Sequence, residues 1–184
     1  MIKIIELEDT KIPQAKKLVR EVFPEQDFME KASFWFYKHR NKNWMKPLCK
    51  VFRMENFSKF WIAVGENGDI CGTTGFYAEK KDFHEAVWLS WFCVDPKYRG
   101  QGIGKQLLEF SITTAREYDK KYLRLYTSDH PGEAEAQFLY EKYGFKEVGR
   151  EKDKTCTLIY REKLLHGKDN PCLLVTKHVG NIPQ

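Results

Sequence analysis

The sequence predicts a single mixed α/β (α+β) domain, and three observations support this fold class. The chain has 184 residues, which suffice for one domain with a sizeable core and are few for two. Its hydrophobic share of 42% and aromatic share of 15% are typical of a globular protein rather than a disordered one. Its helix and strand patterns follow one another in an irregular order, which favours a mixed domain over a doubly wound sheet.

The first quarter of the chain carries a strand pattern, a helix pattern and an aromatic-rich segment. Residues 2–7 alternate as a strand does. Residues 11–23 place apolar side chains at helical spacing, and Pro24 ends that helix. A second helix fits the aromatic-rich residues 28–45. The aromatic side chains of residues 28–61 either pack helices onto a sheet or line a pocket for an acceptor.

A block of strands follows. Residues 60–64 and 70–77 flank a turn at 66–69, so we expect them to pair as a hairpin. Residues 86–94 are almost all apolar, which indicates a central strand buried on both faces.

Six further elements follow from the same periodicities. They are a helix over 103–119, a strand over 123–127, a helix over 133–143, strands over 145–149 and 155–160, and a last strand over 172–179.

Composition and charge argue against several classes of protein. The net charge of +5 comes from 31 basic and 26 acidic residues, which are interspersed rather than gathered into the basic, aromatic surface of a nucleic-acid-binding protein. No apolar run approaches the roughly 20 residues that a membrane helix needs, and we expect no signal peptide at the start. Five cysteines without a CxxC pair indicate reduced thiols in a cytoplasmic protein, and neither a metal site nor a disulfide framework.

The most informative segment joins the strand over 86–94 to the helix that starts at 103. Gly100, Gly102 and Gly104 alternate with other residues as this helix begins, and Arg99 precedes them. Glycine allows a tight turn and close approach of a ligand, and a helix N-terminus offers unpaired N–H groups and positive potential. The segment therefore predicts a site for phosphate or diphosphate.

Spacing excludes two other phosphate motifs. The G-x-G-x-x-G pattern would need glycine at Lys105 or Leu107, and a P-loop would need Ser or Thr at Gln106. A turn that merely connects a strand to a helix remains the alternative interpretation of the glycines.

Two motifs together resemble the GCN5-related N-acetyltransferase (GNAT) superfamily. Val94-x-Pro96 and Arg99-x-x-Gly102-x-Gly104 are similar to its acetyl-CoA-binding motif. Residues 136–145, a helix that ends in Tyr-Gly-Phe, look like its second motif. The resemblance implies a mixed, mostly antiparallel sheet of about seven strands flanked by about four helices. The domain would span residues 1–184, with a core over about 1–164 and an extension over 165–184. This extension could pair across an interface, so a homodimer is one possible assembly.

The resemblance also assigns positions to acetyl-CoA as co-substrate, without a metal. The diphosphate would lie on the loop, and the pantetheine arm would run beside the strand, which is splayed from the next strand to admit it. The implied cofactor-binding residues are Phe92, Cys93, Val94, Arg99, Gly100, Gln101, Gly102, Ile103, Gly104 and Lys105. The activity implied is transfer of an acetyl group to a primary amine of a small molecule or peptide, by direct attack in a ternary complex.

Tyr140 is the candidate catalytic residue, because the family often has an acid tyrosine four residues before the glycine, here Gly144. From the pattern alone, Tyr140 is an aromatic on the apolar face of a short helix. A general base is harder to assign, since the strand over 86–94 has no carboxylate. The candidates are Glu85, His84, Asp129 and His130 at strand ends, and water held by Ser90 or Ser128.

Three alternatives stay open at this point. Cys93 could serve as a nucleophile, but nothing near it in the sequence suggests a Cys–His–Asp set. A CoA-binding sensor or scaffold of the same fold would be consistent with the absence of a glutamate base from the strand over 86–94. A nucleic-acid-binding protein is suggested only by the positive charge, and its binding would weaken steeply with salt.

Overall fold

The computed structural model describes residues 1–24, 36, 54–153 and 155–166. The ten regular elements in these ranges are β1 Lys3–Glu6, α1 Ile12–Val22, β2 Met54–Val64, β3 Ile70–Glu79, β4 Ala86–Val94, α2 Ile103–Glu117, β5 Tyr122–Ser128, α3 Ala134–Lys142, β6 Lys146–Lys152 and β7 Thr157–Leu164. The helix expected over 28–45 lies outside the described residues except for Phe36, and the strand expected over 172–179 lies wholly outside them. Of the aromatics expected to pack or to line a pocket, Phe36, Phe60 and Trp61 are buried in core clusters.

The seven described strands form one sheet in the order β1-β2-β3-β4-β5-β7-β6. Neighbours are antiparallel except β4 and β5, which run parallel. The expected fold class, a mixed and mostly antiparallel sheet flanked by helices, is therefore confirmed. Three α-helices lie within the described ranges.

Four of the strands differ clearly from the sequence prediction. β6 ends at Lys152 rather than at residue 149, and β7 spans Thr157–Leu164 rather than 155–160. β2 starts at Met54 rather than at residue 60, since its first half pairs with the end of β3, where Ser58 lies opposite Tyr77. β4 is buried on both faces only over its first four residues, and Ser90, Trp91 and Phe92 are half-buried. The cause lies in β5, which stops pairing with β4 at this point.

The helices cover the two faces of the sheet. α1 packs Ile12, Ala15, Leu18 and Val19 on one face, against Phe60 and Ile62 of β2. α2 and α3 cover the other face with a larger cluster that contains Leu108, Ile112 and Tyr140, together with apolar residues of β3, β4 and β5. This arrangement leaves the end of β4, the start of α2 and the helix α3 around one opening in the sheet.

Candidate active site

The glycine loop lies between β4 and α2. Asp95 caps a 3-10 turn at Pro96–Tyr98 by accepting a 2.8 Å hydrogen bond from the Lys97 amide. Gly100 and Gly102 then have φ of +74° and +76°, in the left-handed region that favours glycine. Gly102 is the N-cap of α2, and the first bond of the helix runs from the Gln106 amide to the Gly102 carbonyl at 3.1 Å.

The loop offers main-chain donors rather than enclosing side chains. The amides of Ile103, Gly104 and Lys105 belong to the first turn of α2, where a helix leaves N–H groups without intrahelical partners. The Ile103 side chain is 1% exposed and packs in the core, so only its backbone faces a ligand. Arg99, Gln101 and Lys105 are exposed. This surface suits an anion, since it combines amide donors with exposed cations.

The sheet is split beside this loop. β4 and β5 pair only where residues 86–88 lie next to residues 122–124. Beyond that point β4 continues with β3 as far as Val94, and β5 continues with β7 as far as Ser128. The two strands therefore diverge over residues 89–94 and 125–128, as the resemblance implied, and leave backbone edges that face a gap.

The closed end of this split is held by Arg124. Its guanidinium donates to Asp82 at 2.6 Å, to Glu162 at 2.8 Å and to Glu85 at 2.9 Å. Asp82 is 4% exposed and also accepts from the Trp88 indole at 3.0 Å. One cation thus joins β4, β5, β7 and the turn before β4.

A β-bulge opens the β4 side of the split. Between Thr73↔Cys93 and Gly75↔Ser90, β4 has one residue more than β3, and Trp91 adopts a φ of +46°. The Thr73 hydroxyl donates to the Trp91 carbonyl at 2.5 Å and lies 3.3 Å from the Cys93 sulfur. The bulge turns the β4 backbone away from regular pairing at the level where a donor thioester is expected.

Tyr140 lies at the split, on the helix face that packs against the sheet. It is 6% exposed, and its ring centroid lies 5.8 Å from that of Phe92 and 5.7 Å from that of Phe145. Among the described residues its hydroxyl has no hydrogen-bond partner. Burial raises the pKa of Tyr140 well above its usual value, the charge of Glu133 raises it further, and Arg161 opposes the rise.

Cys93 has the character of a core thiol. It is 5% exposed, and burial raises the pKa of this thiol to about 11. Among the described residues, its side-chain hydrogen bond is with the Thr73 hydroxyl and not with a histidine. A thiol with this pKa is almost fully protonated near neutral pH and is a weak nucleophile.

The candidate bases are scattered. Glu85 pairs with Arg124 at the closed end, and His84 is exposed beside it. At the other end, Asp129 accepts from the Thr157 amide at 2.8 Å, and hydrogen bonds from Thr157 lower the pKa of this carboxyl. The His130 Nδ1 accepts from the Gly132 amide at 3.1 Å. None of the four meets Tyr140 in a described contact.

Sequence reasoning missed Glu133, which closes the open end of β5. Its carboxylate accepts from the Ser128 hydroxyl at 2.7 Å and the Ser128 amide at 3.0 Å, and also from Thr127. Ser128 is thereby engaged, whereas Ser90 is half-buried on β4. The available signal was a carboxylate at the start of the helix that follows β5.

In the described part of the chain, no three His, Cys, Asp or Glu side chains form a group that could hold a metal ion. No helix there has the length and apolarity needed to cross a bilayer.

Comparison with known proteins identifies the family. The family model for the acetyltransferase (GNAT) domain matches residues 56–147, half of the chain. The chain therefore belongs to the GNAT acetyltransferase family, as the motifs predicted, and is an enzyme of the acetyltransferase class.

Two curated relatives and one solved structure illustrate the similarity. The Bacillus subtilis spermine/spermidine N(1)-acetyltransferase is 32% identical over 89 residues, which cover 46% of this chain and 58% of that protein. The Salmonella typhimurium peptidyl-lysine N-acetyltransferase YjaB is 32% identical over 90 residues, covering 49% and 52%. The chain thus matches little more than half the length of either. The Escherichia coli ribosomal-protein-S18-alanine N-acetyltransferase shares the fold, with a TM-score of 0.67 at 20% identity over 94% of this chain and all of that one.

Proposed function

We propose that this acetyltransferase moves the acetyl group of acetyl-CoA to a primary amine of a small molecule or a peptide, by direct attack in a ternary complex. One observation carries the proposal. The sheet is split beside a loop whose amides and cations suit an anion, and Tyr140, a buried residue at that split, has a hydroxyl without a hydrogen-bond partner among the described residues. A co-substrate that joins a diphosphate to a long thioester arm fits such a loop and gap.

The donor would bind through the loop and the β4 edge. Amides at Gly102, Ile103 and Gly104 would hold the diphosphate, with Arg99 and Lys105 as nearby cations, and Gly100 and Gln101 would complete the turn. The pantetheine arm would pair with the backbone of Phe92, Cys93 and Val94, which β5 leaves unpaired. A backbone N–H near Cys93 would then stabilise the oxyanion that forms at the carbonyl oxygen of the thioester.

The acceptor would enter from the face of the sheet opposite to the one that α2 and α3 cover. On that face Tyr126 is 46% exposed in β5, and its ring centroid lies 6.3 Å from that of Tyr160. Ser90 lies on the β4 side of the same gap. These three side chains would border the route of the amine to the thioester. The named relatives act on spermine or spermidine and on peptidyl-lysine, which both carry primary amines.

The chemistry requires the amine to lose two protons and the leaving sulfur to gain one. An alkylamine has a pKa near ~10, so roughly one molecule in a thousand is neutral at pH 7 and the ammonium proton must leave, here to water. The neutral nitrogen attacks the carbonyl carbon and loses its second proton to water as the amide forms, while the C–S bond breaks and the sulfur keeps the electron pair. Tyr140 would donate its proton to that sulfur. The high pKa of the Cys93 thiol supports direct transfer over an acyl-cysteine intermediate.

The setting we infer for this reaction is the cytoplasm. The described cysteines, Cys71, Cys93 and Cys156, are all free thiols. Reduced cysteines are usual in that compartment. The single-domain organisation over 1–184 and the homodimer remain predictions.

Two measurements on the purified full chain test the proposal. Calorimetry with acetyl-CoA should show saturable binding. Release of free CoA thiol should then depend on an added amine, tested with spermidine, a lysine-containing peptide and a peptide with an N-terminal alanine. Absence of heat with acetyl-CoA would refute the proposal. Binding without amine-dependent thiol release for any acceptor would favour the sensor instead.

A further inference from the structure

Arg161 is a buried cation beneath the helix that carries Tyr140. It lies in β7 with 5% of its surface exposed, and it pairs across the sheet with Leu125 of β5. Leu125 and Tyr140 belong to the same core cluster. Arg161 therefore lies on the face of the sheet that α3 covers.

The guanidinium is bonded on both sides of Tyr140 along α3. Its Nη2 atom donates to Gln137 Oε1 at 3.0 Å and to Glu141 Oε1 at 2.8 Å. The Gln137 amide in turn donates to the Ser128 carbonyl at 2.7 Å, at the open end of β5. This chain of bonds fixes the turn of α3 that contains Tyr140 relative to the split.

Stability alone does not account for a cation at this place. Burying a guanidinium is costly, and apolar side chains of similar volume often serve as well or better. The Glu141 side chain is 59% exposed, so its pairing with Arg161 is weakened by solvent. In addition, the Arg161 Nε is buried and has no hydrogen-bond partner. Such a buried, half-satisfied charge is typical of a functional site.

Resting on the proposed function, we propose that Arg161 is a positioning residue for Tyr140, which holds its helix turn in place and stabilises the phenolate left when Tyr140 protonates the sulfur of CoA. The step balances, since the C–S electron pair stays on sulfur and the O–H proton of Tyr140 moves there. The proton that the attacking nitrogen loses as the amide forms restores the phenol through water, and the earlier ammonium proton leaves to solvent. A positive charge beside the phenolate lowers the free energy of this anion, and Arg161 is the cation that opposes the raised pKa of Tyr140.

A double-mutant cycle tests this role. The four proteins are wild type, Tyr140→Phe, Arg161→Met and the double variant, each measured for kcat at saturating substrates, for acetyl-CoA Kd and for Tm. We expect Arg161→Met to lower kcat on the order of tenfold when Tyr140 is present, and by less than about twofold in the Tyr140→Phe variant. The Kd should change little, because Arg161 meets none of the proposed donor-binding residues in a described contact.

Lys163→Met is the matched control. Lys163 lies two residues along the same strand, is 8% exposed, and donates to the Tyr143 carbonyl at 2.7 Å. It is not among the charges that act on Tyr140. Its removal should lower Tm while kcat at a temperature below unfolding stays near wild type.

Several results would overturn the inference while leaving the proposed function intact. These are wild-type kcat in Arg161→Met, an equal loss of kcat with and without the Tyr140 hydroxyl, or an equal loss in Lys163→Met. If Tyr140→Phe turns over at the wild-type rate, both the acid role and this inference are refuted. If Arg161→Met does not fold, Arg161→Lys replaces it in the same cycle. Lysine keeps the charge and loses a bond, so it should show a smaller loss that again depends on Tyr140.

Discussion

Gly102 is the position where one added methyl group best tests the donor site. Its φ is +76°, and a Cβ built there would meet no heavy atom within 4 Å. In the free protein Gly102→Ala therefore has only the left-handed conformation to overcome, at about 1–2 kcal/mol. For a chain of this length that free energy lowers Tm by about 2–8 °C.

The effect on acetyl-CoA binding should be larger than the effect on stability. In the proposed complex the open space beside Gly102 is filled by the diphosphate, so the methyl group competes with a charge-assisted hydrogen bond. Loss of one such bond is worth about 1.5–3 kcal/mol. The Kd for acetyl-CoA should therefore rise roughly 10- to 150-fold.

Gly68→Ala provides the matched control. Gly68 has a φ of +80° and nothing within 4 Å of its built Cβ, but it lies in the turn between β2 and β3. The two substitutions should lower Tm by similar amounts in thermal unfolding. In calorimetry, only Gly102→Ala should weaken the binding of acetyl-CoA. Wild-type Kd in Gly102→Ala, or equal weakening in Gly68→Ala, would refute the assignment of the loop to the diphosphate.

Three further predictions concern the split and its neighbours. Tyr140→Phe should reduce kcat about 10²–10⁴-fold in the thiol-release assay with little change in Kd. Because its pKa is raised, Tyr140 stays protonated, and able to act as an acid, below about pH 10. A decline of the wild-type kcat caused by ionisation of Tyr140 at lower pH would contradict the acid role. Cys93→Ala should keep most of the wild-type kcat, and an abolished kcat would indicate an acyl-enzyme instead. In the folded protein, Cys93 should be alkylated far more slowly than the half-buried Cys156. Gly75→Ala should destabilise the fold by about 1–3 kcal/mol or more in urea unfolding, since its Cβ would lie 2.0 Å from the Phe60 ring. Adding Phe60→Leu should recover part of the lost stability. An unchanged urea midpoint in Gly75→Ala would show that the ring moves aside freely.

The sequence predicted the elements whose signal is local. Helical spacing placed α1, α2 and α3 within two residues of their observed ends, because each buries one apolar face. The early part of β2 was missed because Glu55, Ser58 and Lys59 give no apolar alternation. Its strand conformation comes from pairing with β3, a partner some twenty residues away.

In the candidate site, too, features set by a short segment were predictable and features set by distant contacts were not. The glycine loop was predictable, since the positive φ of Gly100 and Gly102 and the helix start are properties of a short segment. The bulge at Trp91 was not, because it depends on the Thr73 hydroxyl, 18 residues earlier in the chain. Arg161 was also missed, since it starts a run of three consecutive charged residues that is typical of a solvent-facing segment, whereas the structure buries it beneath α3.

The Arg124 cluster has a consequence for how a donor would be admitted. Two carboxylates from the turn before β4 and one from β7 converge on one guanidinium of β5, so the vertex of the diverging strands is held by ion pairs before anything binds. The opening between β4 and β5 is then a rigid wedge whose width the folded chain already sets. A thioester arm entering it would order little protein backbone, and less of its binding free energy would be consumed in shaping the slot.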